Sequence, residues 1–335
     1  MFWKSREALR IGDVELPGRA ILAPMSGVTD APFRATALRF GAPVVVCEMI
    51  ASEALVHGKP EMILKAESAG ARPHVVQLAG REAKWLAEGA RRLAGSGADI
   101  IDINMGCPAK RVTTGYCGAA LMRDPLLAGR LVSAVVEASP VPVTVKMRLG
   151  WDEQSINAPE IARIAVEAGA QAITVHGRTR RQFYKGTADW DAVRQVREAV
   201  DVPLVVNGDI ADAKSARQAL EASGADAVMI GRGAYGRPWL PAAISRELEG
   251  EGAGLHGAPS LADAVPAHYE AMLSHYGIEI GLRAARKHLS WYLEAALPPA
   301  AAEAHRKAIV VSEDPAEVLN LVAAAFDGAP LEHAA

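Results

Sequence analysis

Ile100-Ile101-Asp102-Ile103-Asn104-Met105-Gly106-Cys107-Pro108 reads as a short buried strand that stops abruptly. The apolar run has the length of a parallel strand covered on both faces. Gly106 then permits a sharp turn, and Pro108 withholds a further ladder donor. Seven more such runs, at 20–25, 44–49, 74–78, 143–148, 172–177, 204–208 and 227–232, give strand starts 23 to 43 residues apart. That is the repeat of βα units. Helical apolar spacing fills most intervals, at 82–94, 126–138, 159–168, 190–199 and 213–222. Eight units make a (β/α)8 TIM barrel, whose usual size is about 250 residues. A doubly wound open sheet is the alternative architecture.

After the barrel runs comes Gly250-Glu251-Gly252-Ala253-Gly254-Leu255-His256-Gly257-Ala258-Pro259-Ser260, a Gly-rich connector. Beyond it the pattern is helical, with helices expected at 261–276, 279–296 and 315–326. The expected organisation is a catalytic barrel over 1–250 and a small all-helical domain over 260–335, frayed at 328–335.

Half of the 335 residues are hydrophobic and 22% are charged, an ordinary balance for a soluble globular chain. Cys47, Cys107 and Cys117 form no regular framework, which argues for a reducing compartment. Residues 1–7 lack a signal-peptide apolar region, and no apolar run has membrane-spanning length. A cytoplasmic protein with no membrane role and no metal site is expected, with a monomer favoured. The net charge of −3 does not advertise a nucleic-acid binder. Residues 251–335 hold 5 Lys/Arg against 11 Asp/Glu, however, which leaves +3 on residues 1–250. A polyanion would have to use local basic clusters.

A barrel carries its chemistry at the C-terminal ends of its strands. Here those ends read Pro24-Met25, Glu48-Met49, Gln77, Asn104 to Cys107, Lys146 and Arg148, His176, Asn207-Gly208-Asp209, and Gly231-Arg232. Polar groups at nearly every end imply a bound cofactor of considerable size. Free cysteines are usually buried, so it is the place of Cys107, just past a strand end, that makes it a candidate acid or nucleophile. An inward Lys146 is expensive unless it meets an anion, the alternative being a side chain that snorkels to the rim. His176 suits either a ligand hydrogen bond or a structural role. Gly231-Arg232-Gly233-Ala234-Tyr235-Gly236 matches G-x-G-x-x-G, yet no further parallel strand follows to complete a dinucleotide-binding unit. The loops after strands seven and eight fit a barrel phosphate site better.

Arg178-Thr179-Arg180-Arg181-Gln182-Phe183-Tyr184-Lys185-Gly186 interleaves four cations with two aromatics, which suits phosphate contacts and base stacking or a solvated loop. Lys110-Arg111 adds charge to the same rim, and Arg283, Arg286, Lys287 and His288 form a basic cluster in the acidic tail.

Together these residues resemble the tRNA-dihydrouridine synthase family, in particular its bacterial B-type branch. The likeness rests on Ala23-Pro24-Met25-Ser26-Gly27-Val28-Thr29-Asp30, Asn104-Met105-Gly106-Cys107-Pro108-Ala109-Lys110, Val145-Lys146-Met147-Arg148-Leu149-Gly150-Trp151 and Val175-His176-Gly177-Arg178-Thr179-Arg180. Asn207-Gly208-Asp209-Ile210, Gly231-Arg232-Gly233-Ala234 and Arg286-Lys287-His288 continue it. Two departures stand out: Ser26 where the branch usually has Ala, and Ala79 where Phe is common. The resemblance implies an FMN enzyme that uses NADPH to reduce the C5=C6 bond of selected tRNA uridines. It implies that Pro24, Met25, Ser26, Gln77, Lys146 and His176 hold the flavin ring and ribityl chain. Asn207, Gly208, Asp209, Gly231 and Arg232 would hold the phosphate, and Cys107 would give the proton. Asn104, Lys110, Arg111, Arg148, Arg178, Arg180, Arg286 and Lys287 are expected on the tRNA side. The chemistry agrees: hydride addition at C6 leaves enolate-like charge at C5, and a thiol of ordinary pKa near ~8.5 can protonate it at neutral pH. The alternatives are an FMN barrel dehydrogenase acting on a free pyrimidine, or a non-catalytic RNA-binding protein on an inherited barrel.

Overall fold

The computed structural model describes residues 8–252, 254–255 and 257–327; the expectations for 1–7 and 328–335 fall outside the described residues. An antiparallel hairpin, β1 (Arg10–Ile11) and β2 (Val14–Glu15), comes first. The barrel strands follow as β3 (Ala20–Leu22), β4 (Val44–Val45), β5 (Ile50–Ala51), β6 (Val75–Ala79), β7 (Ile100–Met105), β8 (Val143–Arg148), β9 (Ala172–His176), β10 (Leu204–Asn207) and β11 (Ala227–Ile230). They form one sheet in the order β4-β3-β11-β10-β9-β8-β7-β6-β5, with every pair parallel. The run at 44–49 is split: β4 pairs with β3, and β5 pairs with β6. A parallel bridge between Val46 and Val75 closes the ring, reinforced by the Cys47 N–H donating to the Val75 carbonyl at 3.0 Å. The chain is a (β/α)8 TIM barrel whose second strand is interrupted.

The return helices are α1 (Ala31–Arg39), α2 (Ser52–Val56), α3 (Pro60–Lys65), α4 (Ala83–Gly95), α5 (Lys110–Thr113), α6 (Pro125–Ala138), α7 (Ala158–Glu167), α8 (Trp190–Ala199), α9 (Ala213–Ser223) and α10 (Leu240–Glu249). Several start where side-chain caps satisfy orphan backbone donors. Asp124 caps α6 ahead of Pro125, and Asp212 with Ser215 forms a capping box on α9.

The strands alternate, and the alternation builds the site. On β7, Ile101, Ile103 and Met105 pack outward against the helices, as Val143, Val145 and Met147 do on β8. The intervening residues face the barrel axis. At its foot these are apolar, with Ile21, Val44, Ile100, Ala172, Val205 and Met229 joined by Leu9, Ile11 and Leu16 around the hairpin. One step higher they turn polar: Asp102, Thr144 and Thr174, then Asn104, Lys146, His176 and Asn207. Only the outer face of each strand is uniformly aliphatic.

Four helices complete the chain: α11 (Leu261–Tyr276), α12 (Ile278–Ala296), α13 (Pro299–Val311) and α14 (Pro315–Phe326). They share a core of residues such as Tyr269, Met272, Leu289, Tyr292, Val322 and Phe326, which Phe40 and Trp239 of the barrel enter. The Tyr276 hydroxyl donates to Asp30 at 2.9 Å, and Tyr235 stacks on Trp291 with centroids 4.0 Å apart. Gly236 lies so close to the Trp291 carbonyl that a Cβ there would sit 2.0 Å from its oxygen. Among the described residues no helix is long and apolar enough to cross a membrane.

Candidate active site

The C-terminal strand ends surround a cleft of about 600 Å³. Pro24, Met25, Ser26, Gln77, Asn104, Cys107, Arg111, Lys146, Arg148, His176, Asn207, Gly208, Asp209, Gly231 and Arg232 all line it. Lys110 is exposed just outside it, and Arg178, Arg180, Arg286 and Lys287 do not line it.

The floor is a continuous hydrogen-bond network. Lys146 Nζ donates to Asn207 Oδ1 at 3.0 Å, while Asn207 Nδ2 donates to the Met229 carbonyl at 2.7 Å. Asp102 accepts from Gln77 Nε2 and from Thr144 Oγ1, each at 2.7 Å. Gln77 Oε1 in turn accepts from Asn104 Nδ2 at 2.7 Å. Asn104 Oδ1 receives the N–H groups of Gly106 at 3.2 Å and Cys107 at 2.9 Å, and so holds the turn that carries the thiol. Burial pushes the Lys146 ammonium down to about 8, opposed by nearby Asp102. Burial likewise raises the Asp102 carboxyl. His176 is held neutral by burial and by the surrounding Arg148, Lys146 and Arg178 charges.

The loops after β10 and β11 meet at glycines. Gly208 has φ +117°, and Gly233 abuts the Ile210 carbonyl so closely that a Cβ would lie 2.4 Å from its oxygen. Neither site has room for a side chain. After β11 the chain makes a single 3₁₀ turn, Arg232–Ala234. The Asp209 carboxylate is committed to Arg178 at 2.5 Å and to the Ala188 N–H at 2.7 Å, and Arg232 Nη2 approaches it at 3.6 Å. These cations hold Asp209 below the usual carboxylate range.

On the rim, two expectations need correction. Arg178 is not a free surface cation: its side chain is 2% exposed and donates to the Lys185 and Gly186 carbonyls as well as to Asp209. Arg148 is also buried, donating to the carbonyls of Gly106 at 2.8 Å and of Thr179 and Phe183 at 2.9 Å. A guanidinium shut off from water needs its donors satisfied, and loop carbonyls satisfy these. Both arginines therefore fold the loops around the cleft. Arg180 lies over Trp151, 4.7 Å from the ring centroid, and donates to Thr113 Oγ1 at 3.3 Å. His288 is likewise no part of a basic surface; it packs on Phe33 and His268, and burial holds it neutral. Lys287 reaches the barrel's first loop, where a Cβ on Gly27 would lie 3.6 Å from its Nζ. Arg286 donates to the Ser312 carbonyl at 3.5 Å.

The sequence reading passed over two contributors. Asp102 and Thr144 support the floor, and their signal was a polar residue recurring every second position in an aliphatic strand. Tyr184 lines the cleft between the guanidinium groups of Arg232, 4.7 Å from its ring centroid, and Arg148, 5.5 Å from it.

A parallel barrel whose polar strand ends close on one large cleft, with a lysine on the floor and a thiol at the lip, belongs to the ligand-binding barrel enzymes. Residues 21–329 match the family model described as dihydrouridine synthase (Dus). A probable tRNA-dihydrouridine synthase of Rhizobium leguminosarum bv. phaseoli is 54% identical over 314 residues, covering 94% of this chain and 97% of the relative. Another, from Rhodobacter capsulatus, is 53% identical over 321 residues, covering 95% and 98%. A tRNA-dihydrouridine synthase B of Xanthomonas campestris pv. campestris is 47% identical over 288 residues, covering 85% and 86%. The chain belongs to the tRNA-dihydrouridine synthase family, and its similarity extends to the B-type branch.

Proposed function

We propose that this chain reduces the C5=C6 bond of particular tRNA uridines in the cytoplasm, with FMN as resident cofactor, NADPH as reductant and Cys107 as the proton donor. The observation that carries the reading is the union of Lys146, the Gln77 and Asn104 amides, the two glycine loops and Cys107 in one cleft. The donor set fits FMN. Gln77 and Asn104 each retain one N–H after their hydrogen bonds to Asp102 and Gln77, and Lys146 adds a cation beside them. Gly208 and Gly231, with the half-exposed Arg232, offer close backbone approach and positive charge for a phosphate.

When bound, FMN supplies the hydride for uracil C6. Lys146 and Arg232 would bind and orient the polar edge of the ring and the phosphate, respectively. His176, held neutral, accepts or donates one hydrogen bond without adding charge. Cys107 holds a proton at its Sγ and delivers it to C5 from the face opposite the hydride. The target base has to leave its stack to enter the cleft. The exposed Lys110 and Arg111 beside the mouth fit the phosphates flanking it, and the terminal helices α11 to α14 serve to orient the tRNA.

The test is to incubate the purified protein with an unmodified tRNA transcript, FMN and NADPH, then map mass gains along the RNA. A gain of one H₂ at defined uridines is expected. Cys107→Ala should bind FMN and accept reducing equivalents from NADPH, yet leave the tRNA unchanged. Reduction of free uracil with none of tRNA would replace this reading by a free-pyrimidine dehydrogenase.

A further inference from the structure

We propose that Asp102 is a positioning residue: it fixes which way the Gln77 and Asn104 amides face and, through them, where the Cys107 turn sits. Asp102 stands beside Gln77 on β6 and Thr144 on β8 in the strand register, so Asp102 and Thr144 meet the cleft-lining Gln77 from just beneath the floor. From there the bonds run in one direction, from Gln77 Nε2 to Asp102, from Asn104 Nδ2 to Gln77 Oε1, and from the Gly106 and Cys107 N–H groups to Asn104 Oδ1.

The direction is imposed from both ends. Backbone N–H groups only donate, so Asn104 has to turn its oxygen to the Cys107 turn and its NH₂ to Gln77. Gln77 then has to turn its NH₂ to residue 102, where only an acceptor fits. All the side chains are buried, so one reversed amide would face donor to donor without water to relieve it. An Asn at position 102 removes that terminus. It can donate to a reversed Gln77, which reverses Asn104 in turn and sets an NH₂ against the Gly106 and Cys107 N–H groups. The same polarity leaves one N–H each on Gln77 and Asn104, so Asp102 also decides that the cleft floor offers donors to its ligand.

This inference goes beyond the proposed reaction, and its test needs neither tRNA nor turnover. Cys107 is alkylated with iodoacetamide in the protein as purified, and its labelling rate is read by peptide mass spectrometry beside that of Cys117. Asp102→Asn should label at Cys107 about tenfold faster, the factor that one lost hydrogen bond is worth, with the Cys117 rate unchanged. The exchanged pair Asp102→Asn with Gln77→Glu restores an acceptor-only group facing Asn104 and a donor facing that group, and should return Cys107 to the wild-type rate. Wild-type labelling in Asp102→Asn, or fast labelling in the folded exchanged pair, would overturn the proposal. If Asp102→Asn does not fold, the exchanged pair decides alone: folded with wild-type labelling supports the proposal, and any other result rejects it.

Discussion

Lys146 illustrates how much one buried charge demands of its surroundings. Its ammonium sits on the cleft floor with one hydrogen-bond partner, and burial pushes its pKa from the ordinary lysine value to about 8. A ring carbonyl beside it, with its partial negative charge, favours the charged form, so binding takes up a proton wherever the free protein has lost it. Affinity for FMN is therefore expected to hold steady below pH 8 and to weaken as pH rises through and above it. Lys146→Met should bind weakly at every pH, with no such slope. Flavin-fluorescence titrations between about pH 7 and 9.5 measure both; a flat wild-type profile would deny Lys146 a charge contact. Lys146 and Cys107 were legible in the sequence because each stands at a strand end, and the strand ends of a barrel converge. Asp102 was not, although it lies in the same nine-residue stretch, because its partners come from neighbouring strands and only the register brings them together. Arg178 misled for the opposite reason. The stretch that follows it carries the exposed cations Arg181 and Lys185, while its own guanidinium turns inward to Asp209, far away in sequence.

Among the elements, α12 does two jobs on two faces. Leu282, Ala285, Leu289, Tyr292 and Leu293 bury one face in the helical core, and Lys287 reaches the loop at Gly27. Lys287→Glu should weaken tRNA binding and flatten its salt dependence by about one unit of slope, with FMN affinity retained. Unchanged affinity and slope would remove Lys287 from the tRNA surface. The same core holds His268 and His288 in contact, with His268 pushed down to about 3 by burial. Both folded-state values lie below the ordinary histidine value, so their contribution to stability is complete above about pH 6.5 and falls as pH drops below it. At pH 5 the loss from His268 alone should be about 2 kcal/mol, readable by urea denaturation, and His268→Phe should blunt it. Periodicity located α11, α12 and α14 to within a residue, since each sets a broad apolar stripe against the core. It did not reveal α13, where only Ala302 and Ile309 are fully buried and the apolar signal is thin. The Pro298-Pro299 start was the available cue, with proline at the first helical position.

For the whole molecule, the Gly-rich connector marks a change of element type more than a seam between separate cores. Phe40 and Trp239 belong to the barrel segment yet pack in the core of the terminal helices, and Tyr276 bonds Asp30 across the same junction. A chain ending near Glu251 would uncover both aromatics, and each large apolar side chain contributes about 1.5–3 kcal/mol when fully buried. Such a truncation should melt well below the full chain and aggregate at concentrations where the full chain stays clear, as differential scanning fluorimetry and light scattering would show. Unchanged melting would make the tail a detachable module. The barrel itself was legible because eight aliphatic runs at regular spacing admit few topologies. The split second strand was not, because Val44 to Cys47 is uninterrupted in hydropathy and only the closure at Val46 and Val75 breaks its pairing.

The small hairpin at the foot of the barrel has a consequence for kinetics. With Leu9, Ile11 and Leu16 it seals that end, so among the described residues the cleft opens only at the strand C-termini. A reductant and a folded RNA that share one doorway have to take turns. Initial rates measured against both substrates should give parallel double-reciprocal lines, the signature of a reductant that departs before the RNA arrives. Intersecting lines would require the two to be present together, and hence a second way in.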